Sequence, residues 1–282
     1  MAVKAPFNYI GNKYRIINSI QECFPEHIDT FVDLFCGGCD VSINTVANNI
    51  YANDINYHVI GILQEFQKHD VEYILDYIDT TIEKWQLSKT NEDGYKLFRD
   101  HYNQTKDPLD LYVLMCFSFN YQFRFNSSHD YNNPFGRNRS SFNDVMRSNL
   151  ILFKEQINDI HFSALDFCDF DYDILHTGDF LYADPPYLLT CGSYNDGKRG
   201  FRGWTEKDDL DLMRILTELS DRGVNFALSN VIEHKGSTND ALIEWIADNG
   251  YTVHGINFNY NNCNYHTNNR ENVTKEVLIT NY

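Results

Sequence analysis

The chain lacks any run of apolar residues approaching the ~18 that a membrane span requires, so a spanning protein is not expected. The opening residues, Met1 to Pro6, lack the apolar stretch that follows the start of a secretion signal, which points to the cytoplasm. A disulfide framework is missing as well. The seven cysteines (Cys23, Cys36, Cys39, Cys116, Cys168, Cys191, Cys263) are odd in number and scattered, and read as thiols of a reducing compartment. Positive charge is scarce: 23 basic against 40 acidic residues give a net charge of −17, which argues against a non-specific polyanion binder. Cys36-Gly37-Gly38-Cys39 has no second CxxC or HxxxH to complete four zinc ligands, so no metal is expected. No Ser/His/Asp triad is legible either.

What is present suits a folded α/β protein, with 43% hydrophobic and 22% charged residues over 282 positions. The charge is uneven. From residue 121 to 154 five bases (Arg124, Arg137, Arg139, Arg147, Lys154) face two acids (Asp130, Asp144), and the local sign reverses. Residues 30–35 form a short apolar strand ending in a glycine turn at Gly37-Gly38, followed by a segment, 41–47, that could begin a helix. A second strand at 50–53 stops at Asp54, giving the βαβ opening of a doubly wound sheet. Helical spacing dominates 57–119, with Asp107-Pro108 starting one helix, and 126–143 reads as a long polar loop. Strands return at 160–165, 179–183 and 224–228, helices at 205–220 and 240–248, and terminal strands near 251–256 and 276–280. The expected fold is an α/β sheet made of residues 1–57 and 151–282, with a mostly helical insertion at 58–150.

Three of these strands end in an acid, Asp54, Asp166 and Asp184, and ligands bind where parallel strands end. The turn at Phe35-Cys36-Gly37-Gly38 lacks the GxGxxG spacing of a pyrophosphate site. A cofactor with a ribose but no phosphates fits better, Asp54 accepting both ribose hydroxyls. In Asp184-Pro185-Pro186-Tyr187, two prolines fix the backbone and remove two amide donors. This leaves the Asp184 carboxylate and the Pro185 carbonyl as acceptors beside an aromatic ring expected to be exposed. Such a corner suits a planar heterocycle with an exocyclic amine: Tyr187 stacks on its face and the two acceptors take its two protons, concentrating the nitrogen lone pair for attack.

Tyr182 to Tyr187 resembles the DPPY motif of amino-group DNA methyltransferases, and Phe31 to Gly38 resembles their S-adenosylmethionine motif. Tyr9-Ile10-Gly11-Asn12-Lys13 is similar to the motif that opens the Dam-type adenine methyltransferases, the likeness being greatest to compact phage Dam enzymes. Ala52-Asn53-Asp54-Ile55, Asn133-Pro134-Phe135-Gly136 and Leu228-Ser229-Asn230 follow in family order. The resemblance implies a Rossmann-like S-adenosyl-L-methionine-dependent methyltransferase with an inserted, mostly helical target-recognition domain, acting on adenine in double-stranded DNA within GATC. It implies that Tyr9 and Lys13 contact the cofactor, Phe35 and Gly37 border it, Asp54 holds its ribose, and Asp166 with Phe167 meets its adenine. Asp184 then faces both cofactor and target amine, with Pro185 as second acceptor and Tyr187 stacking on the base. Arg124 is placed as guanine reader, and Pro134 and Phe135 as a base-contacting turn. Asn138 stands where a base is expected, and its neighbours Arg137 and Arg139 are the candidates for that role. Cytosine-amino or RNA-adenine methylation, and a non-catalytic DNA-binding relative, are the competing readings; no obligate protein partner is indicated.

Overall fold

The computed structural model describes residues 2–190, 203–255 and 274–282. Cys191, Cys263 and the predicted strand end at Ile256 lie outside the described residues. The strands are β1 (Thr30–Asp33), β2 (Asn49–Asn53), β3 (Ile160–Ser163), β4 (Phe180–Ala183), β5 (Asn225–His234), β6 (Ser237–Thr238), β7 (Thr252–Gly255) and β8 (Thr274–Thr280). They form one sheet in the order β3-β2-β1-β4-β5-β8-β7, with β6 pairing on β5. β1 to β5 are mutually parallel, whereas β8 runs antiparallel between β5 and β7. The chain builds outward from β1 to β3, then crosses back to add β4 and β5 on the other side. This switch opens a crevice between the carboxyl ends of β1 and β4, as a Rossmann-like sheet requires.

Every residue of β1 and β4 is buried, which explains why both read as continuous apolar runs. One face of the sheet contributes Val32, Leu181 and Phe226 to a core closed by α7 (Glu206–Asp221), through Leu212 and Leu216. The other face contributes Ala52 and Ile160 to a core shared with α2 (Tyr57–Lys68), α5 (Pro108–Cys116) and α6 (Asp144–Gln156). α5 is buried along almost its whole length, and α2, α3 (Val71–Lys84) and α4 (Glu92–Thr105) pack around it. Its start is fixed as predicted: Asp107 accepts from the amides of Leu109 and Asp110, and Pro108 occupies the first turn. A short α1 (Ile17–Gln21) precedes β1, and α8 (Asp240–Asn249) ends at Gly250 in the left-handed region, φ +68°.

Three expectations change. The helix anticipated over 41–47 shrinks to a single 3-10 turn at Ser42–Asn44, after which Thr45 is extended. Polar side chains compete for its backbone: Thr45 Oγ1 donates to the Val41 carbonyl, and Asn44 Nδ2 donates to the carbonyls of Val3 and Asp40. The strand ending at Leu228 instead continues to His234, because β8 pairs with it along the extension. The polar stretch 126–143 is not a solvated loop throughout. Tyr131, Asn133, Gly136 and Ser140 are buried, and bridges join Ser118 to Phe135 and Phe125 to Tyr131.

Candidate active site

The strand ends meet in a cavity of about 510 Å³. Every residue assigned from sequence to cofactor or catalysis lines it: Tyr9, Lys13, Phe35, Gly37, Asp54, Asp166, Phe167, Asp184, Pro185 and Tyr187. Buried Asn53, the last residue of β2, ties three strand ends together. Its Nδ2 donates to the carbonyls of Leu34 and Leu165, while its Oδ1 accepts from Ser163 Oγ and the Leu165 amide. This clamp sets Asp54 and Asp166 beside the glycine turn. Asp54 Oδ2 accepts the Gly37 amide at 2.9 Å and Oδ1 the Asn56 amide at 2.8 Å, while burial raises the carboxyl's pKa against these opposing hydrogen bonds.

Gly37 has φ +48°, and a Cβ there would stand 2.6 Å from the Tyr9 ring, so only glycine lets the amino-terminal arm lie over the turn. Across the cavity Phe35, Phe167 and Trp204 form an aromatic wall, with ring centroids 5.3 to 5.7 Å apart. Trp204 is anchored by its indole N–H on Asp209 at 2.8 Å. An apolar aromatic wall, a bare backbone turn and a carboxylate at the end of β2 suit a nucleoside without phosphates.

The corner after β4 is charged and buried. Lys13 Nζ lies 2.8 Å from Asp184 Oδ2 and 3.6 Å from Glu276 Oε1. It also donates to the Tyr187 hydroxyl at 3.0 Å. That hydroxyl lies 2.7 Å from Asp184 Oδ1 and 2.8 Å from Glu276 Oε1. The Tyr187 ring, expected to be exposed, is half-buried for this reason.

Behind this corner Asp33 is fully buried, with Ser42 Oγ donating to its Oδ2 at 2.6 Å. Its Oδ1 has no hydrogen-bond partner among the described residues although the side chain faces the cavity. Desolvation first, then repulsion from Asp184 and Asp54, push its pKa up to about 7 against the Ser42 hydrogen bond. The folded state therefore holds a proton that the unfolded chain releases near pH 3.8. Stability from this group is complete below that value and is lost as pH rises through about 7. Asp40, pushed up to about 6 by burial, adds a slope of the same sign. The urea midpoint should fall between pH 5 and pH 8, and Asp33→Asn should flatten most of that fall; an unchanged slope in the variant overturns the assignment.

The DNA-facing candidates lie outside this cavity. Arg124 is half-buried, but its neighbours Phe123 and Phe125 line the cavity wall. Pro134 is exposed, while Phe135 packs against Tyr95 with centroids 5.4 Å apart. Gly136 is closed in, since a Cβ would meet Ser140 Oγ at 2.2 Å. Arg137 is exposed and paired with Glu92, and Arg139 is exposed. Cys36 and Cys39 are buried thiols in the turn, and burial pushes the Cys36 thiol well above its ordinary value, away from the nucleophilic thiolate. Sequence reasoning missed Asp33, Trp204, Phe123, Phe125 and Glu276. The last had only a weak signal, an acid abutting the apolar run Val277-Leu278-Ile279.

The model of the D12 class N6 adenine-specific DNA methyltransferases matches residues 9–261. The chain belongs to that family. Among its relatives are the Type II methyltransferase M.FokI of Planomicrobium okeanokoites and the modification methylase StsI of Streptococcus sanguinis. Each is 48% identical to this D12-family chain over 282 residues, covering 99% of this chain and 43% of the relative. A DNA adenine methylase of Escherichia coli K12 is 23% identical over 234 residues, 80% of each chain. The chain thus spans less than half the length of the two Type II relatives. Among the described residues, no cluster of His, Cys, Asp or Glu could hold a metal ion, and no helix is long and apolar enough to cross a membrane.

Proposed function

We propose that the protein transfers a methyl group from S-adenosylmethionine to the exocyclic amine of adenine in double-stranded DNA. The observation that carries this reading is the buried corner in which Asp184 lies in the same cavity as Asp54 and the aromatic wall. The donor fits the donor set: Asp54 for a ribose, Phe35, Phe167 and Trp204 for a flat ring, and the partnerless Asp33 oxygen inside the cavity. When bound, it supplies a methyl group on a positively charged sulfur, which is open to in-line attack.

The chain's residues do the rest. The target adenine leaves the stack, at a cost of a few kcal/mol, because its amine is otherwise paired and out of reach. Asp184 and the Pro185 carbonyl accept the amine's hydrogens, hold its lone pair toward the donor and stabilise the charge that develops as the new bond forms. Tyr187 stacks on the base, and Lys13, paired with Asp184, holds that carboxylate in place. The attacking amine needs no covalent cysteine intermediate.

Residues 58–150 are proposed to read the DNA, with Arg124 on guanine and Pro134, Phe135, Arg137 and Arg139 along the duplex. Arg137 reaches a phosphate only by leaving Glu92, and so exposed a pair holds it weakly. GATC is the target suggested by likeness to the compact Dam enzymes. The greater identity to the Type II methylases, 48% against 23%, tells against GATC as the whole site.

The test is incubation of the chain with labelled donor and duplexes that differ in one base pair at a time around a central GATC, followed by digestion and identification of the labelled nucleoside. N6-methyladenine in a defined context is expected. Label in cytosine, or in RNA offered in competition, supports the alternative enzymes, and no label in these duplexes or in mixed-sequence genomic DNA the non-catalytic one. In the same assay Arg124→Ala should cost about 1 to 3 kcal/mol of discrimination at one guanine, and an unaltered context preference removes its role.

A further inference from the structure

The Tyr187 hydroxyl has one proton and two carboxylates within reach, Asp184 Oδ1 at 2.7 Å and Glu276 Oε1 at 2.8 Å. Only one can receive it at a time. Burial, with Asp184 and Glu276 beside it, raises the phenol's pKa well above its ordinary value, so the proton stays on the oxygen. The Lys13 ammonium is divided in the same way, 2.8 Å from Asp184 and 3.6 Å from Glu276. Asp184 is therefore occupied on both oxygens by the chain's own donors, although it is the group proposed to accept the hydrogens of the target amine. The tie to Asp184 also restrains the ring that is proposed to stack on the base.

A structural ion pair for Lys13 needs one acid, and Asp184 already supplies it at hydrogen-bond distance. A second carboxylate nearly out of solvent, beside the buried run Val277-Leu278-Ile279 of β8, costs free energy that Lys13 only partly offsets. We infer that Glu276 is a positioning residue, which receives the Tyr187 hydroxyl and a larger share of the Lys13 ammonium when Asp184 turns to the target amine. The two acceptor distances differ by only 0.1 Å, so the exchange needs a rotation of the O–H and no large displacement of the ring. This inference rests on the adenine methyl-transfer reading. Lys13, from the amino-terminal arm, and Glu276, from β8, thereby act on one strand end.

The experiment measures steady-state kcat and the KM for S-adenosylmethionine of the full chain on its duplex. Activity of the native protein is established first: if it transfers no methyl group to adenine, the parent reading fails before any variant is made. Glu276→Ala should lower kcat about thirtyfold, a size ordinary for residues sharing one hydrogen-bond network, and leave KM within about threefold. Glu276→Gln retains a carbonyl acceptor at the same reach and should recover kcat to within about threefold of native. Glu276→Asp keeps the charge but withdraws it by one methylene, and should behave like the alanine variant; it carries the test if that variant fails to fold. In a Tyr187→Phe background, with no hydroxyl to pass across, Glu276→Ala should cost less than about twofold more. A near-native kcat in both the alanine and aspartate variants overturns the inference. So does a loss confined to KM, a glutamine variant as impaired as alanine, or an equal loss in the Tyr187→Phe background.

Discussion

Asp184→Ala is expected to fold, to keep its pairing around Lys13 and to lose methyl transfer by about a thousandfold, within the range for removing a group that handles the reacting proton. Folding should survive because Lys13 retains Glu276 at 3.6 Å and the Gly11 carbonyl at 3.3 Å, while the Tyr187 hydroxyl keeps Glu276 at 2.8 Å. The deficit should therefore appear in kcat, with a native circular dichroism spectrum and DNA retained in a gel-shift assay. Asp184→Asn keeps the shape and one acceptor oxygen but loses the charge, and should fall between the alanine variant and native. An alanine variant that turns over within tenfold of native would mean that the amine's protons go elsewhere and that the corner after β4 is scaffolding.

Asp54→Ala should weaken binding of the methyl donor by about 30- to 100-fold, equivalent to losing about 2 to 3 kcal/mol of charge-assisted hydrogen bonding. Two effects combine. The carboxylate proposed to hold the ribose is removed, and the Gly37 and Asn56 amides, which it accepts at 2.9 and 2.8 Å, lose their anchor, so the turn under the Tyr9 ring loosens. Asp54→Asn can still accept one amide and should lose less. Calorimetric titration with donor alone checks this, and DNA affinity without donor should not move. Equal donor affinities for native and alanine proteins would detach Asp54 from the donor altogether.

Much of this site was legible before any coordinates, for a definite physical reason. Asp54 and Asp184 each end an apolar run, and in a parallel sheet such ends converge whatever the intervening chain does. Tyr9 and Lys13 were legible through family resemblance alone, since nothing in their spacing foretells that the arm crosses Gly37. Side chains whose role depends on a partner distant in sequence stayed hidden. Asp33 sits inside the apolar run 30–35, where nothing set it apart, and Trp204 stood just ahead of a helix start. Phe123 and Phe125 were absorbed into the stretch around Arg124 although they face the cavity. Glu276 opened an apolar strand whose neighbours could not be known without the order of the sheet. The misjudged helix after the glycine turn has a local cause. Asn44 and Thr45 bond to backbone carbonyls and end it after one turn.

The position of β8 bears on how the protein is born. It is the last of the described strands in chain order, yet it lies inside the sheet, between β5 and β7. While the ribosome is still making it, β5 shows a naked edge of unmet peptide groups, an invitation to pair with another nascent chain. The same strand delivers Glu276, so arrival of the sheet's missing member and completion of the reactive corner are one event. A polypeptide cut short of that point is left with an open, adhesive margin and an unfinished corner.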